Sequence, residues 1–433
     1  MCKIKLDIIH YHLHPGGVTR IIESQIKSIC LQSCTYDIRL YTSSCDNKEF
    51  YQQLNIKIIE DEIFAYADFN ENNPEIIAQN YIEVEKASKK YFEKDRIIHF
   101  HNLNLGKNPY WTMRMSLLAE KGYNIINHTH DFAEDRTENI SFLRRIIEGH
   151  FLKDLYKIMY PDSMNYHYLV LTNNAVSRLI KKGIKKSRIH LCPNPTEVNH
   201  KNIKTDKEFV CKTLQLDSEK KIITYPVRVI RRKNIGELIL LSVLFSDSIN
   251  CVVTLAPTNP IEKKYYKDWI QYTEKNNINI NYEASNKIDF TLLISSSDFC
   301  ITTSKEEGFG MVYIEPWIMN TPVIGRSLKN ITDDLTKNTM ILNGFYNEIN
   351  VISDKKLVDF SSLDEKEQQK LITELLFDDN KKDEIKSLNP LLEKIFEEQN
   401  IDIVNHNKKV IKKNYSIISY GKRLKETYKI FTR

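Results

Sequence analysis

Two carboxylates, Glu307 and Glu315, stand with seven residues between them on either side of Gly308-Phe309-Gly310. An apolar run through Phe299 and Ile301 reads as a buried strand entering this stretch. Met311 and Val312 start an apolar helix, and Pro322-Val323-Ile324 reads as a short strand leaving it. A glycine turn feeding a helix offers backbone N–H groups and the positive end of the helix dipole, which suits a phosphate. Carboxylates cannot hold that phosphate, but they can accept hydrogen bonds from hydroxyls such as those of a sugar and a ribose. A phosphate cradle with two hydroxyl acceptors is what a nucleotide sugar needs.

A second group of chemistry-bearing residues is Arg228-Val229-Ile230-Arg231-Arg232-Lys233, four cations after a predicted strand. Such a cluster is either a solvated loop or a phosphate clamp, since Arg offers a planar fork and Lys a point charge. Near the N-terminus, Gly16-Gly17 lies between a strand and a helix, where two glycines allow close backbone approach to an anion. Histidines recur in His99-Phe100-His101-Asn102 and His128-Thr129-His130-Asp131. His-x-His in a strand reads as a mix of packed and surface side chains. Metal binding by His99, His101, His128, His130 and Asp131 is the other reading, and no metal is assigned because the strands account for themselves without one.

The stretch 298–325 resembles the E-x7-E signature of retaining glycosyltransferases of the family 4 type. The resemblance is carried by Asp298, Ser304, Glu307-Gly308-Phe309-Gly310, Glu315 and Thr321-Pro322-Val323. It implies an α/β protein of two Rossmann-like domains facing a cleft, the glycosyltransferase B fold, with a C-terminal helix crossing back to the first domain. By the same resemblance Arg228 and Lys233 sit on the donor diphosphate, with Gly16 and Gly17 against the donor phosphate and reacting sugar. Glu307 orients the sugar, Glu315 holds the ribose, and the amides from Phe309 to Val312 meet the leaving group. His130 lies near the transferred sugar and is grouped with Glu307, Arg228 and Lys233 as catalytic. His101, Asn102, Asp131 and Arg136 line the acceptor side. Arg231 and Arg232 have no counterpart and read as surface charges or extra attraction for an anionic acceptor. The sequence departs from the family at Pro195, at Ala256-Pro257-Thr258-Asn259 where a glycine-rich loop is usual, and at Pro316. Proline is tolerated only in the first turn of a helix, so the helix is expected to start late, near Tyr313.

The elements that must position these residues alternate along the chain. Strands are expected at 4–11, 36–41, 56–59, 96–100, 123–127, 168–171 and 188–191. The helices between them include 18–31, 74–92, 111–121 and 140–159, with Asn173 as a further N-cap. In the second half, strands fall at 221–225, 251–255, 278–282 and 299–302, and a helix at 234–245. Alternating strands and helices argue for parallel sheets covered on both faces. Ligands of such sheets gather at the carboxyl ends of the strands. The expected domains are 1–195, a linker at 196–207, a nucleotide-sugar domain at 208–405, and a helical tail at 406–433 packing on the first domain.

Composition narrows the partners. Lys and Arg number 62 against 57 Asp and Glu in 433 residues, a balance that does not argue for nucleic acid. Eight cysteines form no CxxC pair and read as thiols of a reducing compartment. No signal-peptide core or membrane span is visible, so a cytoplasmic protein is expected. Its basic amphipathic tail either crosses back or makes weak contact with the inner face of a membrane. The partners expected are a nucleotide-sugar donor such as a UDP or GDP sugar and a hydroxyl acceptor (a glycan, a lipid-linked sugar, or a small polyol or acid). No cofactor is expected. The rival readings are a glycoside phosphorylase of the same fold, a sugar-nucleotide epimerase, and a non-catalytic nucleotide-sugar-binding protein.

Overall fold

The structure, a computed structural model, describes residues 3–32, 34–196, 204–397 and 400–432. The chain forms two compact units, residues 1–197 with 415–433, and residues 198–414. Of the linker expected at 196–207, residues 197–203 lie outside the described residues.

The first unit is built on seven parallel strands: β1 (Lys3–Ile9), β2 (Thr35–Thr42), β3 (Lys57–Glu60), β4 (Ile97–His101), β5 (Asn124–Thr129), β6 (Tyr166–Val170) and β7 (Ile189–Leu191). Their order is β3-β2-β1-β4-β5-β6-β7, so the winding reverses between β1 and β4. Helices cover both faces, which is why β4 and β6 are buried at every position. The first helix, Gly17–Cys30, buries Ile21, Ile22, Ile26 and Ile29 against the sheet, as its periodicity predicts.

Two local expectations are corrected. The helix read over 140–159 is three pieces: Thr137–Arg144, a π-helical turn Arg145–His150, and Leu155–Met159. Leu152 adopts a left-handed φ of 51°, and Asp154 recaps the chain by accepting from the Lys157 amide at 3.0 Å. The N-cap of helix Asn173–Lys181 is Thr172, not Asn173: its hydroxyl accepts from the Ala175 amide at 3.2 Å.

The last helix, Ile417–Lys429, packs in this same unit against the first helix. Tyr420, Leu424 and Tyr428 join Ile22 and Ile26 in one core. Gly421 permits the approach, because an added Cβ would lie 2.5 Å from the Ser28 carbonyl oxygen.

The second unit repeats the plan with β8 (Lys221–Arg228), β9 (Ile249–Leu255), β10 (Ile280–Asn281), β11 (Phe299–Thr302), β12 (Val323–Arg326) and β13 (Phe345–Tyr346). The order β10-β9-β8-β11-β12-β13 reverses between β8 and β11. Strand β8 runs three residues beyond the expected 221–225. Pro226 has no N–H for the ladder, and the β8/β9 register shifts between Tyr225 and Arg228, an irregularity that proline favours. Helix Ile235–Leu244 is buried all round. Residues 364–399 carry helices Glu365–Leu375 and Asp379–Leu388. All described cysteines are free, and no described helix is long and apolar enough to cross a membrane.

Leu424 has no exposed surface, and replacing a buried leucine by alanine costs about 2–5 kcal/mol. Leu424→Ala should therefore lower the urea midpoint of the first unit. A midpoint equal to wild type would show that the last helix does not stabilise that core.

Candidate functional site

In the second unit the chemistry collects at the carboxyl ends of β8 and β11, the switch point where ligands of open α/β sheets bind. After β8 the chain turns through Arg231–Lys233. Asn234, at a left-handed φ of 48°, starts the buried helix. The turn is held from behind: the Tyr225 hydroxyl donates to the Lys233 carbonyl at 2.9 Å, and Thr303 donates to the same oxygen at 3.0 Å. After β11, the Ser304 hydroxyl lies 2.8 Å from that of Tyr225 and donates to Glu307 Oε1 at 2.9 Å.

Glu307 is the centre of this arrangement. Its carboxylate is buried and receives Lys233 on Oε1 and Arg232 on Oε2, the latter at 2.7 Å. Burial raises its pKa, but the Lys233 and Arg232 charges outweigh this and hold it below the usual carboxylate range. Burial pushes the Lys233 ammonium down from its ordinary value while Glu307 pulls it back. Lys233 therefore does not stand free for a phosphate. It is shared, and two of its three N–H donors remain for another partner. Arg232, read from sequence as a surface charge, is corrected to a partner of Glu307. Arg231 pairs with Glu365 at 3.1 Å and its amide donates to Glu262 at 3.0 Å.

The glycine stretch differs from the expected single helix. Gly310 has a φ of +77°, and an added Cβ would sit 2.7 Å from the Tyr313 ring and 2.9 Å from Ile331. A 3-10 turn, Met311–Tyr313, follows, and then a four-residue helix, Glu315–Ile318. Pro316 cannot donate to a preceding turn, so the helix restarts with proline in its first turn, later even than Tyr313. A four-residue helix has little dipole, and any anion here depends on Gly308, Phe309 and the turn amides. Glu315 is buried at the first position of the short helix. Arg228, at the end of β8, is exposed and donates to the Ala256 carbonyl at 3.3 Å.

Sequence reading missed a buried group behind this loop. Arg326 at the end of β12 donates to Glu237 at 3.0 Å and to Asp359 at 2.9 Å, and Tyr346 donates to Glu237 at 2.8 Å. These residues are far apart in the chain and carry no local signal.

In the first unit, the spacing of two along β4 and β5 puts His99, His101, His128 and His130 on one face. The register pairs His101 with His128. The expected mix of packed and surface histidines is corrected: His99, His101 and His128 are fully buried, because helices cover this sheet. One hydrogen-bond assignment satisfies nearly all of them. Gln25 Oε1 accepts from His101 Nε2 at 2.7 Å, leaving His101 Nδ1 to accept from His130 Nε2 at 2.9 Å. Gln25 Nε2 donates to the Tyr428 hydroxyl at 2.7 Å, and Tyr428 donates to His99 Nδ1 at 2.9 Å. His99 Nε2 then donates to His128 Nδ1 at 3.2 Å, and His128 Nε2 has no partner. In this assignment His130 Nδ1 is an acceptor.

Nitrogens of His99, His101 and His128 lie within 4.8 Å of one another, close enough to share a metal, but the hydrogen bonds already engage most of them. His101 is thus a fully buried support for His130. Asn102 is likewise committed, its side-chain oxygen accepting from the His130 and Asp131 amides at 2.9 and 3.2 Å. Gly16, Gly17, Asn102, Asp131 and Arg136 all line one cavity at the ends of β1 and β4, and Arg136 donates to Asp131 at 3.1 Å.

Known proteins resemble this chain in sequence and in fold. Residues 206–386 match the family model of glycosyl transferases group 1. Mannosylglucosyl-3-phosphoglycerate synthase of Petrotoga mobilis is 29% identical over 344 residues, which cover 76% of this chain and 66% of that protein. The chain therefore spans slightly under two thirds of the relative's length. Anabaena HepE, solved in complex with UDP and glucose, superposes with a TM-score of 0.61 at 13% identity over 98% of this chain and 99% of its own. A glycosyltransferase from Rickettsia africae gives 0.62 at 17% identity over 100% and 99%. The fold is the glycosyltransferase B fold, with two Rossmann-like α/β units. The family model and the synthase support a glycosyltransferase.

Burial holds the His10, His99 and His130 imidazoles at about 3 and pushes His101 and His128 well below 6.5. The unfolded chain binds protons near 6.5 that the folded unit refuses. The resulting stability is complete above that pH and lost as pH falls toward 3, by up to about 1.4 kcal/mol per unit for each histidine. Urea unfolding of the first unit at pH 7.5 and pH 5 should show a clear loss at the lower pH. A flat profile would contradict the buried neutral cluster.

Proposed function

We propose that this protein is a retaining hexosyltransferase that moves a sugar from a nucleoside diphosphate to a hydroxyl acceptor without needing a divalent metal. The observation that carries this reading is the buried Glu307 carboxylate clasped by Lys233 and Arg232 beside the Gly308-Phe309-Gly310 turn. In it, a hydroxyl acceptor and cations for a diphosphate are built into one switch point. The UDP and glucose in complex with HepE are in keeping with such a donor. The Petrotoga synthase is named for a phosphoglycerate product, which keeps a small acid among the acceptors.

In this reading, rupture of the glycosyl–phosphate bond leaves charge on the diphosphate. Arg228, Lys233, Arg232 and the turn amides stabilise it, the work a metal does elsewhere. Glu307 accepts from a sugar hydroxyl through its less crowded Oε2, and Glu315 holds the ribose. The acceptor oxygen attacks from the leaving-group face and a phosphate oxygen takes its proton, so no side chain becomes covalently linked. His130, neutral and with Nδ1 as the accepting nitrogen, takes a hydrogen bond from the sugar or the acceptor.

A thermal-shift panel of nucleoside diphosphates, with and without EDTA, tests the donor. A nucleotide at about 100 times its dissociation constant adds about 2.7 kcal/mol. A shift with phosphate or a sugar phosphate alone would replace the nucleotide donor with the phosphorylase chemistry. Glu307→Gln should cut transfer about 100-fold or more while keeping nucleotide affinity. Lys233→Ala should weaken nucleotide binding about tenfold and slow transfer as well. Wild-type turnover in Glu307→Gln would remove that residue from the site, and unchanged nucleotide affinity in Lys233→Ala would remove the clamp.

A further inference from the structure

We propose that the first unit carries a second reactive group, Ser44–His14–Asp46, whose serine takes the acyl group of a small carboxylic ester. None of these three residues takes part in the transferase reading above.

Local structure brings the three side chains together. Past the ends of β1 and β2 the two chains keep their parallel register, with Leu13 bridged to Cys45. The Leu13 amide donates to the Ser44 carbonyl at 2.8 Å, and the Asp46 amide to the Leu13 carbonyl at 3.4 Å. Side chains of an extended chain alternate in direction, so Ser44 and Asp46, two apart, share one face. Cys45 between them is buried. His14 follows Leu13 on the neighbouring chain and meets both. Its carbonyl accepts from the Thr19 hydroxyl at 2.7 Å, which ties it to the first helix.

The contacts run in the order nucleophile, base, orienting acid. Ser44 Oγ lies 3.1 Å from His14 Nε2. His14 Nδ1 lies 2.9 and 3.0 Å from the two oxygens of Asp46. A carboxylate only accepts, so the proton of the neutral ring sits on Nδ1. Nε2 is then the acceptor and the Ser44 hydroxyl the donor. In this arrangement a histidine withdraws the serine proton as the oxygen attacks, while the carboxylate holds the tautomer.

His12 steadies the base. The His12 and His14 rings stack at 4.9 Å with 27° between their planes, and the His14 amide donates to His12 Nδ1 at 3.4 Å. Burial, and then the neighbouring His14, hold His12 below its ordinary value. A neutral His12 does not oppose the imidazolium that forms on His14.

Exposure and chemistry set the substrate class. The His14 and Asp46 side chains are 51% and 52% exposed, so the nucleophile is open to esters from solvent. Its partners are polar, which suits a short, water-soluble acyl group over a long aliphatic chain. The Ser44 oxygen bonds to the ester carbonyl carbon and its proton passes to His14 Nε2. The bond from that carbon to the alcohol oxygen breaks, and the alcohol leaves with the proton. Water, giving its proton to the same nitrogen, then cleaves the acyl-serine, which releases the carboxylic acid and restores Ser44. In the bridge, Leu13 engages Ser44 and Asp46, which leaves the Cys45 amide, next after the nucleophile, as a donor for the carbonyl oxygen as it gains charge.

The test incubates the full chain with p-nitrophenyl acetate, follows p-nitrophenolate release, and locates the acetyl group by peptide mass spectrometry. Ser44 should be acetylated and turnover should exceed the buffer rate. Ser44→Ala should lose both the label at that peptide and the turnover. His14→Gln and Asp46→Asn should each slow acetylation of Ser44 about 100-fold or more. Asp46→Asn keeps the side-chain volume, so a slowed reaction with an unchanged urea midpoint separates chemistry from folding. Acetyl groups found on lysines alone would overturn the proposal. So would a wild-type rate of release in Ser44→Ala, or unaltered Ser44 acetylation in His14→Gln and Asp46→Asn.

Discussion

The second unit depends on one buried interaction, the Glu307 carboxylate between Lys233 and Arg232. A carboxylate taken out of water is costly unless it is paired and hydrogen-bonded. Here Ser304 adds a hydrogen bond, and Tyr225 packs against Ser304 while donating to the Lys233 carbonyl. The loops after β8 and β11 are therefore locked to each other at the point where the sheet order reverses. The Arg326–Glu237–Asp359 group repeats the device deeper in the same unit.

The first unit has the same strand order and a different electrostatic solution. Its switch point is packed with imidazoles made neutral by burial, linked through Gln25 and Tyr428. Neutral imidazoles can be stacked where four charges could not, with the His128 and His130 ring centroids 4.3 Å apart. The last helix is part of this arrangement, since the Tyr428 hydroxyl is hydrogen-bonded to His99 Nδ1 at 2.9 Å. A segment from the end of the chain thereby acts on residues at the centre of the first sheet.

These two solutions suit different ligands. A fixed carboxylate with shared cations can recognise hydroxyls and a diphosphate together. A neutral, hydrogen-bonded histidine stack presents single ring nitrogens, each a donor or an acceptor according to its tautomer. Beside it, the uncapped helix end and Lys107 supply positive charge where the histidines do not.

Much of this was legible in the sequence, and the reasons are local. Strand–turn–helix periodicity follows from burial on one or both faces, so β1, β8, β11 and the first helix could be read directly. The Gly308-Phe309-Gly310 turn between two glutamates, and the cations at 228–233, singled out the loops after β8 and β11 by residue type together with the family resemblance. Pro316 announced a late helix start because its missing N–H is a covalent fact. Tertiary structure alone decided that Lys233 and Arg232 close on Glu307, and that His101 and Asn102 serve His130 and its loop. It also decided that Lys107 shares a wall with Gly17. Those residues are tens of positions apart, and only the packing of sheets and helices sets which side chains meet and which protons they carry.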